Sequence, residues 1–385
     1  MTSAYEILAQ LKRTASGPMT EARGAEPAFY WNEEVASAEE NAIFRHDWVC
    51  PGLASEIPDV GDYLTFSIAG EPVFSIRDSS GEINTYANIC RHRMMQLLQG
   101  RGRTSRVTCP YHAWSYNLQG QLVGAGHMNH SVGFDKTKIC LPQIRTEIWN
   151  GWIYITLNPD AQSMKKALAP LNDVVARYGM EHYVAVLNEE HVWQTNWKLL
   201  TENFMEGYHL PVAHKATVGA WFAPNKTVFP DQSYDSFTYQ TFAKTHAARY
   251  GQAHPDNTRL TGEWRNTSIL PTVFPTHMYV LAPDHLWYLS LRPRGVGAVD
   301  VRFGVAIAPE VDAMLTDTAE RAAWIRDLVA FFEHVNGEDR HVVEGIYAGS
   351  RSSFASPGQL SWLEREIHDF QKYLAQRLAP DTQRG

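Results

Sequence analysis

Two groups of potential metal ligands stand out in this chain of 385 residues, and the first combines cysteine with histidine. It consists of Cys90-Arg-His92 and, further along, Cys109-Pro-Tyr-His112. Each half supplies one thiolate and one imidazole. When two histidines replace two cysteines on one iron of a two-iron cluster, the cluster loses negative charge and its reduction potential rises. The pattern therefore predicts a centre that carries single electrons, held between the tips of two β-hairpins.

Zinc is the alternative ion for the first group, because two cysteines and two histidines also satisfy zinc. Zinc fingers usually pair cysteine with cysteine and histidine with histidine, on a hairpin and a helix. Here each half mixes the two residue types, and the flanking segments are rich in β-strand patterns. These differences favour an iron–sulfur cluster over a structural zinc site.

The second group places histidines and an acidic residue around a proline, from Glu206 and His209 through Pro211 to His214. Two histidines and one carboxylate on one face of a ferrous ion leave positions open for O₂ and a substrate. Glu206 and His209 are three residues apart and would share one face of a helix. We expect Pro211 to end or kink that helix, so that His214 returns to the same point. Two partly buried histidines at a helix end are the alternative interpretation.

Different elements must position the two groups. Short alternating segments with turn residues predict a small antiparallel β domain over residues 48–159, with an Asn150-Gly151 hairpin turn. Helical periodicity predicts helices over residues 196–208, 316–334 and 360–378, and a strand meander is predicted over residues 278–307. We therefore divide the chain into an N-terminal helical segment (1–45), a β domain (46–160) and an α+β domain (161–385).

The first group, extended to Cys109-Pro-Tyr-His112-Ala-Trp114, resembles the binding motif of Rieske domains, and more narrowly that of the ring-hydroxylating oxygenase α-subunit family. The segment from Asn196 to His214 is similar to the mononuclear iron motif of the same family. The resemblance covers roughly residues 48–378. It implies an α+β protein with a small antiparallel β Rieske domain. The second domain is then a catalytic domain whose central antiparallel sheet is flanked by helices, as in helix-grip or START-like folds.

The resemblance also implies roles for individual residues. The [2Fe–2S] ligands are then Cys90, His92, Cys109 and His112, and the ligands of the mononuclear Fe²⁺ are His209, His214 and Asp339. Glu206 lies where the family has an acidic electron-transfer bridge toward the Rieske histidine of a neighbouring subunit. Glu206 is also a rival third ligand, since it would share a helix face with His209. Glu338 would point about 100° away from Asp339 on a helix, and Asp339 could instead be a solvated charge paired with Arg340 or Arg326.

Most relatives carry Asp at the bridge position. The Glu at position 206 resembles instead the residue found in the subgroup that acts on quaternary ammonium compounds. The resemblance then implies the oxygenase component of a monooxygenase. It would use O₂ and electrons from a separate reductase to hydroxylate or N-demethylate a choline-, betaine- or carnitine-like molecule. The alternatives are an aromatic-ring dioxygenase acting on an aromatic acid and, from another class, a zinc-stabilised binding protein without a redox role.

Aromatic residues near the second group are candidate contacts for such a substrate, because ring faces attract quaternary ammonium groups. These candidates are Phe204, Tyr208, Trp221, Trp287 and Tyr288. A place in the hydrophobic core is the alternative for each of them. If the substrate also carries a carboxylate, Lys215 and Arg292 are candidates to bind it.

Composition limits the possible partners. The net charge is −8 and no run of lysine or arginine stands out, which argues against nucleic acid. No apolar run is long enough to span a bilayer, and the N-terminus does not resemble a signal peptide, so we expect a cytoplasmic protein. No glycine-rich turn for NAD or flavin is present, which implies that NAD(P)H and flavin act through a partner reductase. By resemblance, the chain forms a homotrimer.

Overall fold

The structure is a computed structural model that describes residues 3–244 and 248–379. The chain divides into two compact units, one of which is Phe44–Met164. The other combines Met1–Ile43 with Lys165–Gly385. Within the described ranges, no helix has the length and apolar character needed to cross a membrane.

The unit Phe44–Met164 is built from antiparallel strands. Its strands are β1 Val49–Leu53, β2 Asp62–Ile68, β3 Glu71–Arg77, β4 Ile83–Ala87, β5 Arg101–Arg103, β6 Val107–Thr108, β7 Ser115–Tyr116, β8 Leu122–Gly124, β9 Gln143–Trp149 and β10 Trp152–Thr156. A seven-stranded sheet has the order β1-β10-β9-β4-β3-β2-β5, and β6, β7 and β8 form a second sheet. Asn150 and Gly151 join β9 to β10 with φ values of 46° and 84°, which confirms the predicted hairpin turn.

The core of this unit encloses the cysteines of the first ligand group. Cys90 and Cys109 are buried together with Phe74, Tyr116 and Trp114. Residues 106–118 do not form one continuous strand. Strand β6 ends before Cys109 and β7 begins after Trp114, because the backbone between them turns back on itself to form a ligand loop.

The other unit contains one antiparallel sheet in its central layer. Its strands are β11 Val184–Trp193, β12 Phe237–Ala243, β13 Thr267–Val273, β14 His277–Leu281, β15 His285–Pro293 and β16 Val299–Ile307. Their order is β11-β16-β15-β14-β13-β12. Strands β14 to β16 form the predicted meander, and β12 and β13 extend it beyond the prediction. Strand β14 is buried at every position, and so is β15 until its last two residues. Both faces of the sheet are therefore covered by protein at β14 and β15.

Helices provide that cover. The α-helices are α1 Ala4–Ser16, α2 Glu33–Glu39, α3 Met164–Ala167, α4 Ala169–Val175, α5 Trp197–Phe204, α6 Leu210–Ala213, α7 Pro309–Met314, α8 Thr318–Ser350 and α9 Arg365–Leu378. Short 3₁₀ turns and one π-helical turn, Glu40–Phe44, connect them. Helix α5 contacts α8 and β15, helix α9 contacts β12, and α1 packs on α9. The predicted α+β fold class, with a central antiparallel sheet flanked by helices, is confirmed.

Two predicted helix boundaries are wrong, and both matter for the second ligand group. Helix α5 ends at Phe204 rather than at residue 208. Helix α8 continues far beyond residue 334, so Asp339 lies inside a helix and not just past one. Gly337 does not end α8, because an exposed glycine inside a helix costs only about 1 kcal/mol, and the helix continues to pack on α5 and β11.

Candidate metal centres and active site

The two ligand loops of the first group have the same backbone turn. In each loop the cysteine carbonyl accepts a hydrogen bond from the N–H four residues later, Met94 for Cys90 and Ala113 for Cys109, at 3.1 Å in both loops. The cysteine N–H donates to the carbonyl one residue further on, at 2.8 Å in both loops. Met94 and Ala113 have φ values of 55° and 56°. The loops are therefore matched, and each presents one cysteine and one histidine.

The side chains of these loops divide into buried thiols and exposed imidazoles. Cys90 and Cys109 are each 3% exposed and form no disulfide. His92 and His112 are exposed, with their Nδ1 atoms 3.2 Å apart. In the described part of the chain, only the second group brings three ligand atoms within 4.8 Å of one another. The first group is wider than a single zinc ion needs, and it fits a cluster with an inner thiolate-bound iron and an outer imidazole-bound iron.

Tyr116 is a polar contact of the first group that the sequence does not reveal. Its hydroxyl accepts a hydrogen bond from the Arg91 N–H at 3.0 Å and lies 3.3 Å from Cys90 Sγ. Since a cluster-bound thiolate can only accept, the Tyr116 hydroxyl would donate its proton to the sulfur when the cluster is bound. Burial raises the pKa of Tyr116, so this proton is retained.

The second group is positioned by a carboxylate cap rather than by a shared helix face. After α5 ends, the Glu206 carboxylate accepts from the N–H groups of Tyr208 and His209, at 2.5 and 3.0 Å, and also contacts His209 Nδ1. His209 precedes helix α6, and Pro211 lies in the first turn of that helix. Our expectation that Pro211 ends a helix is wrong, because proline is compatible with a first turn, where its missing N–H has no helical partner.

The imidazoles nevertheless meet as predicted. The Nε2 atoms of His209 and His214 are 3.2 Å apart. Asp339 Oδ1 lies 3.0 Å from His214 Nε2 and 3.5 Å from His209 Nε2. Ligand atoms about 2.1 Å from one ion and about 90° apart lie about 3.0 Å from each other. The three side chains therefore fit a single metal ion with open positions.

Two other carboxylates hold the opposite edges of the same imidazoles. Glu206 contacts Nδ1 of His209, and Glu338 Oε2 lies 2.7 Å from Nδ1 of His214. Thr217 Oγ1 donates to the same Glu338 oxygen at 2.7 Å. Carboxylates in this position fix the tautomer of a metal-binding histidine and orient its ring. The geometry thus places Asp339, and not Glu206, beside both Nε2 atoms.

Electrostatics favour a cation at this point. Burial opposes the ionisation of Asp339, but its hydrogen bonds with His209 and His214 outweigh burial and lower the pKa of its carboxyl. Burial also opposes protonation of His209, yet its contacts with Asp339 and Glu206 raise the pKa of this imidazole to about 9. The alternative partner Arg340 pairs with Glu344 instead. A buried cluster of carboxylates needs a positive charge, and a metal ion held by these residues would supply it.

The three candidate ligands line a cavity with aromatic walls, part of which is open to solvent. Of the candidate substrate contacts, Phe204, Trp221 and Trp287 line the cavity.

Tyr208 and Tyr288 do not line this cavity, so the cavity gives no support to their assignment as substrate contacts. Tyr288 follows Trp287 on β15, and successive strand residues point to opposite faces of a sheet. Its hydroxyl lies 2.5 Å from Asn188 Nδ2. The Tyr208 side chain is 60% exposed, because it belongs to the turn after α5. Lys215 is exposed and Arg292 pairs with Glu190, and neither lines the cavity.

Further lining residues were missed in the sequence. Phe331, Val335 and Asp339 recur at intervals of four residues along α8, a spacing that indicates one helix face. Phe331 stacks on Trp221 with ring centroids 5.4 Å apart. Lys244 also lines the cavity, but it is distant from both motifs and the sequence gives no signal for it.

These features define a Rieske-type iron protein, and comparison with known proteins agrees. The family model for the ring-hydroxylating α-subunit (catalytic domain) matches residues 180–380, and the model for the Rieske [2Fe–2S] domain matches residues 47–141. The chain belongs to the ring-hydroxylating oxygenase α-subunit family. The predicted resemblance is confirmed, and so are the cofactors of that family, a Rieske [2Fe–2S] cluster and a mononuclear iron.

Curated relatives match parts of the chain. The chain is 33% identical over 218 residues to the glycine betaine monooxygenase oxygenase subunit of Chromohalobacter salexigens, covering 55% of this chain and 49% of the relative. It is 33% identical over 189 residues to the carnitine monooxygenase oxygenase subunit of Escherichia coli K12, covering 48% and 50%. In these matches the chain spans about half the length of the relatives. Chloroplastic choline monooxygenase of Arabidopsis thaliana is 24% identical over 372 residues, covering 92% and 82%.

Solved structures share the fold. The quaternary ammonium Rieske monooxygenase CntA, in complex with an inhibitor, superposes with a TM-score of 0.81 at 21% identity, covering 95% of this chain and 98% of that one. Naphthalene 1,2-dioxygenase from Rhodococcus sp. gives a TM-score of 0.80 at 23% identity, covering 99% and 100%. At these identities the similarity establishes the architecture alone.

Proposed function

We propose that this chain is the oxygenase component of a Rieske non-haem iron monooxygenase that hydroxylates or N-demethylates a small quaternary ammonium compound. It would use O₂ and electrons from a separate NAD(P)H-dependent reductase. The observation that carries the proposal is the convergence of His209, His214 and Asp339 on one point in the wall of an aromatic cavity. The names of the relatives support the same substrate class.

We assign the electron-transfer domain to residues 46–160 and the catalytic domain to residues 161–385. The N-terminal segment, residues 1–45, would pack on the catalytic domain, which the contact between α1 and α9 supports. When bound, the cluster supplies single electrons and the mononuclear iron supplies O₂ activation. Cys90, His92, Cys109 and His112 would hold the cluster, and His209, His214 and Asp339 would hold the iron. Glu206 and Glu338 would keep the two iron-binding imidazoles in the tautomer that offers Nε2.

The cavity walls suit a cation that has no hydrogen to donate. A quaternary ammonium group is stabilised by aromatic ring faces and by nearby negative charge. Trp221 stacked on Phe331 and Trp287 packed against Phe204 supply the rings. Glu206, which also lines the cavity and is outside the proposed ligand set, supplies negative charge at the same wall. The residues of the cavity would thus place an N-methyl group or a neighbouring C–H bond close to the metal ligands.

Glu206 would serve as the electron-transfer bridge. Its carboxylate contacts Nδ1 of His209, the edge of the ring opposite to the proposed metal-binding atom. It is therefore placed to connect His209 to an electron donor outside the cavity. We propose that this donor is the Rieske domain of a neighbouring subunit in a homotrimer located in the cytoplasm.

A substrate panel tests this function. Holoprotein with both metal centres would be combined with a surrogate reductase and NADH, and O₂ uptake and product would be measured for choline, glycine betaine, carnitine and benzoate. Product from an ammonium compound, with O₂ uptake in proportion, is expected. Exclusive turnover of the aromatic acid would contradict the proposal, and so would metal analysis that finds zinc in place of iron. As a control, His214→Ala should keep the visible spectrum of the cluster and lose turnover.

A further inference from the structure

The cavity has a polar end that the proposed iron chemistry does not use. Lys244 directly follows β12, is 8% exposed and lines the cavity together with Tyr250 and His285. Its ammonium group lies 3.5 Å from the Tyr250 carbonyl oxygen, and no ion pair of Lys244 is found among the described residues. Burial lowers the pKa of Lys244 to about 8, while nearby Asp284 opposes this effect. At neutral pH the cavity therefore contains a buried ammonium group.

His285 and Tyr250, which line the same cavity as Lys244, carry polar atoms without hydrogen-bond partners among the described residues. His285 Nδ1 is 2.7 Å from Asp284 Oδ1, and Asp284 also accepts from the Gly251 N–H. Since Asp284 is an acceptor, Nδ1 of His285 carries the proton and Nε2 carries a lone pair. Within the described ranges, His285 Nε2 and the Tyr250 hydroxyl have no hydrogen-bond partner, although the two residues are 1% and 3% exposed. Buried polar atoms without partners destabilise a fold, and a ligand can satisfy them.

Aromatic rings separate this polar end from the metal ligands. Phe204, on the helix that leads to Glu206, packs against Trp287 with ring centroids 5.7 Å apart. Trp287 packs against Phe332 at 5.5 Å, and Phe332 packs against His285 at 4.9 Å. A molecule along this wall would have the metal ligands at one end and the ammonium group of Lys244 at the other. Lys244 is positively charged, whereas Glu206, which is outside the proposed ligand set, adds negative charge near the metal ligands.

We propose that Lys244 and Tyr250 form a subsite that binds a carboxylate of the substrate, with His285 Nε2 accepting a hydrogen bond from a substrate hydroxyl. This inference rests on the proposed function and narrows it from quaternary ammonium compounds in general to zwitterionic ammonium carboxylates. The charges also set the orientation of the substrate. Lys244 repels the ammonium group and attracts the carboxylate, so the N-methyl groups point toward His209, His214 and Asp339.

Binding of matched ligand pairs tests the subsite without turnover. Holoprotein would be titrated anaerobically by calorimetry with glycine betaine and with choline, which differ by a carboxylate in place of a hydroxymethyl group. We expect glycine betaine to bind at least about tenfold more tightly, since a charge-assisted contact in a dry site exceeds a neutral one. Equal dissociation constants for the two ligands would overturn the carboxylate assignment.

Lys244→Met removes the charge and keeps the length of the side chain. We expect this variant to bind glycine betaine about 10–100-fold more weakly than the parent and to bind choline at least as well. Lys226→Met, which changes an exposed lysine outside this cavity, is the matched control and should leave both constants unchanged. Unchanged binding of glycine betaine to a folded Lys244→Met variant would overturn the proposal. The comparison of ligand pairs on the parent protein stands even if this variant does not fold.

A second pair of ligands tests the role of His285. Carnitine and γ-butyrobetaine differ by one hydroxyl, and we expect carnitine to bind more tightly because its hydroxyl can donate to the free Nε2. Equal affinity would overturn this assignment. Binding of benzoate that depends on Lys244, without binding of any ammonium compound, would contradict the proposed function but support the anion-binding subsite. The two proposals therefore fail in distinguishable ways.

Discussion

At the scale of single residues, each imidazole of the second group is held from both edges. Nδ1 of each imidazole contacts a carboxylate outside the proposed ligand set, Glu206 for His209 and Glu338 for His214. Nε2 of each imidazole faces Asp339. This arrangement explains why three acidic side chains lie around two histidines. One of them completes the proposed ligand set, and the other two orient the rings.

We expect Glu206→Ala to retain the cluster and, at saturating iron, the mononuclear iron, while turnover is lost. The side chain contacts Nδ1 and not Nε2 of His209, so its removal affects ring orientation and the proposed bridge rather than ligation. Glu206→Gln keeps a carbonyl oxygen that can accept from the backbone N–H groups, and it should isolate the effect of charge. Iron content by elemental analysis and turnover with a surrogate reductase are the measurements. Loss of mononuclear iron at saturation would identify Glu206 as a ligand.

We expect Tyr116→Phe to lower the reduction potential of the cluster by about 40–60 mV, because its hydroxyl no longer stabilises the reduced form through Cys90 Sγ. The size corresponds to about 1 kcal/mol for one hydrogen bond and one electron. Spectroelectrochemical titration would measure it. Tyr111→Phe, at an exposed tyrosine beside His112, is the control and should shift the potential less. Equal shifts in the two variants would contradict the role of the Tyr116 hydroxyl.

At the scale of elements, helix α8 carries both a candidate ligand and the residue that orients another. Val335 and Asp339 share the face that lines the cavity. Glu338 is adjacent to Asp339, and a helix rotates it by about 100°, which brings its carboxylate to Nδ1 of His214. Its direction away from Asp339 was predicted from the sequence, but the contact that results depends on how α6 and α8 pack.

We expect Glu338→Ala to weaken iron binding about 10–100-fold, the usual effect of removing a carboxylate that orients a metal-binding histidine. The cluster spectrum should remain unchanged, because its ligands belong to the other unit. Anaerobic iron titration would give the dissociation constant. Glu333→Ala, at an exposed position of the same helix, is the matched control. An iron affinity equal to that of the parent would show that His214 needs no such support.

At the scale of the whole molecule, the antiparallel sheet brings distant segments to one cavity. Phe204, Lys244, His285 and Asp339 are far apart in the chain, and strands and helices from four segments carry them to the same walls. The arrangement places a buried lysine in the fold for which the described residues provide no ion pair. Such a group reduces stability, and we attribute its presence to substrate binding.

The free-energy cost of burying the charged side chain of Lys244 predicts that the stability of the protein depends on pH. The pKa of Lys244 is lowered from 10.5 to about 8, chiefly by burial and despite the nearby charge of Asp284. Between these values the unfolded state binds more protons than the folded state, so the free energy of unfolding should rise with pH by roughly 2–3 kcal/mol from this group. Lys244→Met should abolish that rise and be the more stable protein at pH 7. Denaturant titrations at pH 7 and pH 10 would measure the free energy of unfolding of both proteins. Subtracting the variant's values from the parent's removes the contributions of titrating groups other than Lys244. A parallel profile for the two proteins would contradict the prediction.

The sequence by itself determined the chemistry of the two ligand groups and the class of fold. Residue type and short spacing decide whether Cys90 and His92 can reach one cluster and whether His209 and His214 can reach one ion. Alternation or helical period decides the elements. The tertiary structure alone decided which carboxylate faces the Nε2 atoms, that Glu338 and Tyr116 support the ligands, and that Lys244 enters the cavity. These are contacts between segments remote in sequence, and they depend on the packing of helices on a sheet, which local patterns do not encode.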